Sequence, residues 1–155
     1  MQRKSHPPLV HLEELLTYRI SSLYSLLSAG TTKELSAPHG LVLREWRVMV
    51  LLAGNEPMSA SDLAARSLLD KASVSRAVAS LVQRGLLTVT VSDMDARMKV
   101  LRLTEEGWRI YADLAPKSLQ RHKRLMSALT PAERKSLTSM LSRIEKEAVR
   151  YFSGS

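Results

Sequence analysis

Between Asp70 and Arg84 the chain reads DKASVSRAVASLVQR, acidic only at its start, and no further acidic residue occurs before Asp93. At about 100° per residue, Val74, Ala77, Val78, Leu81 and Val82 share one side of a helix and are expected to be buried. The far side carries Ala72, Arg76, Ala79, Ser80 and Gln83, with Ser73 and Ser75 at its margins. Small and hydroxyl-bearing side chains around one arginine make a low-relief face that can enter a major groove closely. There Ser bonds phosphates or base edges, and Arg takes guanine through two hydrogen bonds. An ordinary solvated helix face would carry Glu and Lys instead. Further along, Arg97 sits beside Asp95 in a polar tip. Arg97 either reaches a narrow minor groove while Asp95 holds it, or the two form a surface ion pair worth only ~0–1 kcal/mol. The full set of candidate DNA contacts is Ser59, Lys71, Ala72, Ser73, Ser75, Arg76, Ser80, Arg84, Asp95, Arg97 and Lys99.

Arg19 is the candidate for a different chemistry. It lies at the edge of an apolar stripe, between Leu15, Leu23 and Leu26, where a half-buried guanidinium needs an anion. That anion is either a Glu or carbonyl of the chain itself or the carboxylate of a ligand, held bidentately. His11, His39 and Trp46 are candidate pocket neighbours, although a lone Trp is more often core and a lone His more often a plain hydrogen-bonder. No His-Glu-x-x-His, Gly-x-Ser-x-Gly, Walker or Rossmann pattern occurs, and there is no Cys to act as nucleophile, thiolate ligand or redox switch. His11-Leu12-Glu13-Glu14 is too sparse for a metal site. No catalytic residue, metal or cofactor is therefore expected.

The elements that must hold these residues are marked by caps and breakers. Leu9, Leu12, Leu16, Ile20, Leu23 and Leu27 form a helical stripe over residues 9–28, and GTTKELSAPHG at 30–40 reads as a loop. A buried helix over 41–53 stops at Gly54 and Pro57. Ser59 caps a short helix of residues 60–66, and Asp70 caps a second that runs to Arg84 and stops at Gly85. Two helices of this size across so short a turn make a helix-turn-helix. Leu87, Val89 and Val91 then alternate with Thr88 and Thr90, and Val100, Leu101 and Leu103 follow the tip, which predicts a hairpin, or wing. Thr104 caps a helix bearing Trp108, Ile110, Tyr111 and Leu114. Thr130-Pro131-Ala132-Glu133 opens a last helix with the narrow stripe Leu137, Met140, Leu141, Ile144 and Ala148.

Composition sets the outer bounds. With 155 residues, 45% of them hydrophobic and 25% charged, the chain is long enough for one core with helical extensions and is globular rather than disordered. The longest clean apolar run, residues 48–53, is far below the ~20 needed to span a membrane, and MQRKSHPP is no signal peptide. A cytoplasmic protein with no membrane partner is expected. The net charge of +8 favours polyanionic partners. Much of it lies in residues 117–150, with nine Lys+Arg against three Glu, where a solvated helix face explains it.

Ser59-Ala60-Ser61-Asp62-Leu63-Ala64, Asp70 to Val78, Leu81, Arg84-Gly85-Leu86, Asp95-Ala96-Arg97 and Leu103-Thr104-Glu105-Glu106-Gly107, in this order and spacing, resemble the MarR (multiple antibiotic resistance regulator) family. Trp46-Arg47-Val48 and Leu129 to Glu133 extend the resemblance over nearly the whole chain. It implies a mainly α fold with a small β-hairpin wing: a winged helix-turn-helix at 39–104, an N-terminal arm and dimerisation helix at 1–38, and C-terminal dimerisation helices at 105–155. It further implies a homodimer on double-stranded operator DNA, usually a repressor, released by a small effector that is often phenolic or an aromatic acid. Several relatives that sense aromatic carboxylates have an Arg at the place of Arg19 in this helix. The family's wing motif is Asp-Arg-Arg; Ala96 stands at its middle position and removes one phosphate or groove contact. The terminal helices are not needed to close a winged domain, which also points to dimerisation. The alternative from another class is a winged-helix module that binds protein, which would show an apolar patch on the exposed side of residues 72–83.

Overall fold

A computed structural model describes residues 10–67, 69–92 and 97–154. After a single 3-10 turn at Leu12–Glu14 come α1 (Leu16–His39), α2 (Leu43–Asn55), α3 (Ala60–Ser67) and α4 (Lys71–Gln83). The strands β1 (Leu87–Val91) and β2 (Lys99–Leu103) and the helices α5 (Glu105–Met126) and α6 (Pro131–Ser153) complete the order. The chain divides into two compact units, residues 1–111 and residues 112–155.

The first helix departs from expectation at both ends. It starts at Leu16 rather than Leu9, and it continues through Gly30 and the segment expected to be a loop, as far as His39. A helical Gly costs about 1 kcal/mol relative to Ala, and local reading stops there for that reason. Burial of Thr31 and Leu35 outweighs the cost, and the Thr31 hydroxyl also bonds back to the Leu27 carbonyl at 2.8 Å. The true stop is Gly40, at φ 60, where the Leu41 N–H returns to the Leu35 carbonyl at 3.4 Å. A left-handed residue at a helix C-terminus is a stop that glycine accommodates without strain.

The other elements follow their caps. Ser59 accepts from the Asp62 N–H at 3.1 Å and donates to its carboxylate at 2.7 Å. Asp70 accepts from the Ser73 N–H at 2.8 Å, Thr104 from the Gly107 N–H at 3.0 Å, and Thr130 and Glu133 cap each other reciprocally. The wing is an antiparallel pair in the register Leu87↔Leu103, Val89↔Leu101 and Val91↔Lys99. Met58 bridges Leu101 on the other edge of β2, which makes β2 central and buries both Val100 and Leu101. Strict alternation therefore fails in the wing: Val89 and Val91 face solvent.

The core of the first unit is Leu41, Val48, Met49, Leu52, Leu63, Val74, Ala77, Leu81 and the strand residues Leu87 and Leu103. α2 lies at its centre, packed on α3, α4 and β2. By contrast α6 buries no residue at all in the single chain. Leu137, Met140, Leu141 and Ile144 lie exposed along it, as do Leu16, Ile20, Leu23 and Leu27 along α1.

Candidate nucleic-acid interface

The cap of α4 also organises its exposed face. Asp70 accepts the Ser73 hydroxyl at 2.6 Å, and the Ser73 Oγ in turn accepts from the Arg76 guanidinium at 3.1 Å. A short chain of bonds thus links the start of the helix to Arg76 and holds that side chain along the face. The two bonds from Ser73, hydroxyl first and N–H second, hold the Asp70 carboxyl below its usual 3.8; Ser59 does the same for Asp62.

Lys71, Ala72, Ser75, Arg76, Ala79 and Gln83 are all exposed. Val74, Ala77 and Leu81 are buried as expected, but Val78 is half-buried and Val82 is 38% exposed. The buried stripe is thus rotated away from Val82, toward the side occupied by Ser80 and Arg84. Those two residues point into the domain. The Ser80 hydroxyl donates to the Glu45 carboxylate at 2.7 Å. Arg84 reaches the same carboxylate at 3.2 Å and donates to the carbonyls of His39 at 2.6 Å and Gly40 at 3.4 Å. Glu45, only 4% exposed, also accepts the Val42 N–H at 3.0 Å. Both oxygens of this buried carboxylate accept hydrogen bonds, as a buried charge requires.

This cluster ties the C-terminal end of α4 to the junction of α1 and α2. Sequence reasoning missed Glu45. The available signal was an acidic residue three places after Val42, the N3 position from which a carboxylate reaches back to a cap N–H.

Among the remaining candidates, Ser59 is tied to Asp62, while Arg97 and Lys99 are exposed at the wing. Asp95 lies outside the described residues. On the side facing β1 and α3, the apolar margin of α4 lines an open groove of about 570 Å³, with Val82, Val89 and Ala64 in its walls and Lys71 at its rim.

The residues suggested for a ligand are not brought together in one chain. Arg19 and His39 stand at opposite ends of α1, twenty residues and about 30 Å apart along the axis. Arg19 is exposed rather than half-buried, as is His11. Trp46 is buried and stacks on Tyr111 at 5.7 Å between ring centroids, and Tyr111 meets Trp108 edge-on at 5.5 Å. Beside Trp46 is a cavity of about 260 Å³ floored by Trp46, Val50 and Leu51, with Arg47 and Arg66 among its lining residues. Arg47 lies over the Tyr24 ring at 5.8 Å. The Ser28 hydrogen bond, followed by the Arg47 charge, lowers the Tyr24 hydroxyl below its usual 10.0. Arg47, Arg66 and Tyr24 escaped the sequence reading because their grouping depends on α2 crossing both α1 and α3.

A capped helix pair joined by a short turn, followed by a two-stranded wing, defines a winged helix-turn-helix. Residues 39–98 match the MarR family, and no curated protein matches the chain. A MarR/EmrR family transcriptional regulator from Acinetobacter sp. ADP1 has the same fold at a TM-score of 0.84 and 24% identity, covering 91% of this chain and 99% of that one. A MarR family regulator from Streptomyces coelicolor, solved in complex with DNA, is 25% identical at a TM-score of 0.77, covering 94% of this chain and 93% of its own. BpsR of Bordetella bronchiseptica, whose DNA binding is regulated by 6-hydroxynicotinic acid, is 22% identical at a TM-score of 0.77 and covers 89% and 98%. The family match is confined to the winged-helix segment, and the chain as a whole has the fold of MarR family transcriptional regulators. No helix among the described residues is long and apolar enough to cross a membrane.

Proposed function

We propose that the protein is a homodimeric repressor that binds a pseudo-palindromic operator and leaves it when a single-ring aromatic carboxylate binds. The observation that carries the DNA reading is the exposed face of α4: Lys71, Ser75 and Arg76 stand clear on it, Arg76 is braced by Ser73, and no carboxylate interrupts it. Arg76 serves as the guanine reader and Lys71 and Ser75 as phosphate contacts, with Arg97 and Lys99 following the backbone from the wing. Ser80 and Arg84 position the helix instead of touching DNA, since their polar groups are spent on Glu45 and the α1–α2 junction, and Ser73 is occupied by Asp70 and Arg76. The uncovered apolar stripes of α1 and α6 supply the dimer contact, which would place half-sites about 10 bp apart.

The effector would sit beside Trp46, its carboxylate on Arg47 and Arg66. At about 260 Å³ the cavity falls below the ~300 Å³ usual for drug-sized ligands, which favours one ring over a bulky ester. A ligand there bears on α2, whose Glu45 holds the end of α4. It can therefore favour a dimer with misaligned reading helices.

The test is a binding titration on the DNA upstream of the protein's own gene, repeated with a panel of aromatic acids and with Arg47→Ala and Arg19→Ala. Salt-dependent binding that one acid abolishes, in the parent and in Arg19→Ala but not in Arg47→Ala, is the expected result. Loss of the response only in Arg19→Ala would move the effector to α1. No binding at low salt would refute the DNA reading. One observation favours a protein-binding module instead, namely the apolar groove beside α4.

A further inference from the structure

The groove beside α4 is the least expected feature of the reading face. Val82 is 38% exposed and Val89 44% exposed, and with Ala79 and Ala64 they leave an apolar strip open to solvent next to the cationic Lys71. Exposed valines on a functional face are unfavourable unless something apolar covers them. The strip lies on the same helix as Arg76, and no acidic residue occurs from Lys71 to Ser92, so its electrostatic surroundings suit a polyanion. Across the floor of a major groove every base edge offers hydrogen-bond donors or acceptors, and the one apolar group is the thymine methyl.

We infer that Ala79, Val82 and Val89 read thymine methyl groups, so that each half-site carries thymine where the wing side of α4 meets the DNA. This rests on the regulator reading above. Arg76 then selects one guanine by hydrogen bonding, and the apolar strip selects the adjoining thymines by contact alone.

Duplexes bound by the full-length protein are selected from a random pool at low salt. In the best site each thymine is then replaced by uracil, which deletes the methyl and nothing else. Burying one methyl corresponds to about four-fold in affinity, so one or two uracils per half-site should weaken binding by about that factor while the others are silent. Val82→Ser, which removes both methyls at an exposed helix position, should leave the fold intact by circular dichroism and erase the uracil penalty at one position; Ala79→Ser should do so at another. A selected site without thymine bias, or uracil duplexes bound as tightly as the parent, overturns the inference and leaves the regulator reading intact. A pool from which nothing is retained overturns both and returns the groove to a protein partner.

Discussion

Replacing Glu45 probes the junction that holds the reading helix. In Glu45→Ala the Val42 N–H and the Ser80 hydroxyl lose their acceptor, each at about 1 kcal/mol for a stranded, partly buried donor. The charge-assisted bond to Arg84 is worth about 1.5–3 kcal/mol when fully buried, but the Arg84 side chain is 32% exposed and keeps two carbonyl partners, so about 1 kcal/mol is the appropriate share. The total of about 3 kcal/mol corresponds, for a chain of this size, to a melting temperature lower by about 6–12 °C. Glu45→Gln keeps the shape and one acceptor oxygen and should lose less than Glu45→Ala. The assay is thermal unfolding by far-ultraviolet circular dichroism at a single protein concentration, because self-association makes a melting point depend on concentration. Adding Arg84→Ala completes a double-mutant cycle, with an expected coupling of about 1 kcal/mol. A melting point within about 2 °C of the parent for Glu45→Ala, or additive effects of the two substitutions, would refute the reasoning.

Three further outcomes follow from the same geometry. Gly107 lies in the first turn of α5, and a Cβ added there would run into the Leu86 carbonyl oxygen; Gly107→Ala should cost about 1–3 kcal/mol by overpacking, read as a lower denaturant midpoint at unchanged slope. The Asp62 and Asp70 carboxyls are held below 3.8 in the folded state, so folding releases protons. Their contribution is complete above the unfolded value and is lost as pH falls through the folded one. Asp70→Asn should therefore melt with a shallower pH dependence than the parent between about pH 5 and pH 2, and equal slopes would deny Asp70 its role. Arg97→Ala should lower DNA affinity evenly across sequences and reduce the salt slope by about one unit, and an unaltered slope would place Arg97 off the phosphates.

The elements marked by local chemistry were legible in the residues alone. Ser59, Asp70, Thr104 and Thr130 each stand where a polar side chain meets an unpaired helix N–H. Gly85, at φ 68, stands where only glycine turns without strain. Caps and left-handed stops are decided within a few residues, so sequence determines them. The helix-turn-helix, the wing and the exposure of the Arg76 face are sums of such local decisions.

What tertiary structure decided is of another kind. α1 runs through Gly30 because Thr31 and Leu35 are buried, a gain no local preference registers. Ser80 and Arg84 turn inward because Glu45, thirty-five or more residues away, offers a buried carboxylate. That same rotation of α4 leaves Val82 in the open. Arg47 and Arg66 share a cavity only because α2 packs on α3. Hydrophobic period identifies a helix and roughly which side is apolar, but the last 40° of its rotation and the partners of its charges are set by contacts between distant segments, where burial and electrostatic pairing outweigh local propensity.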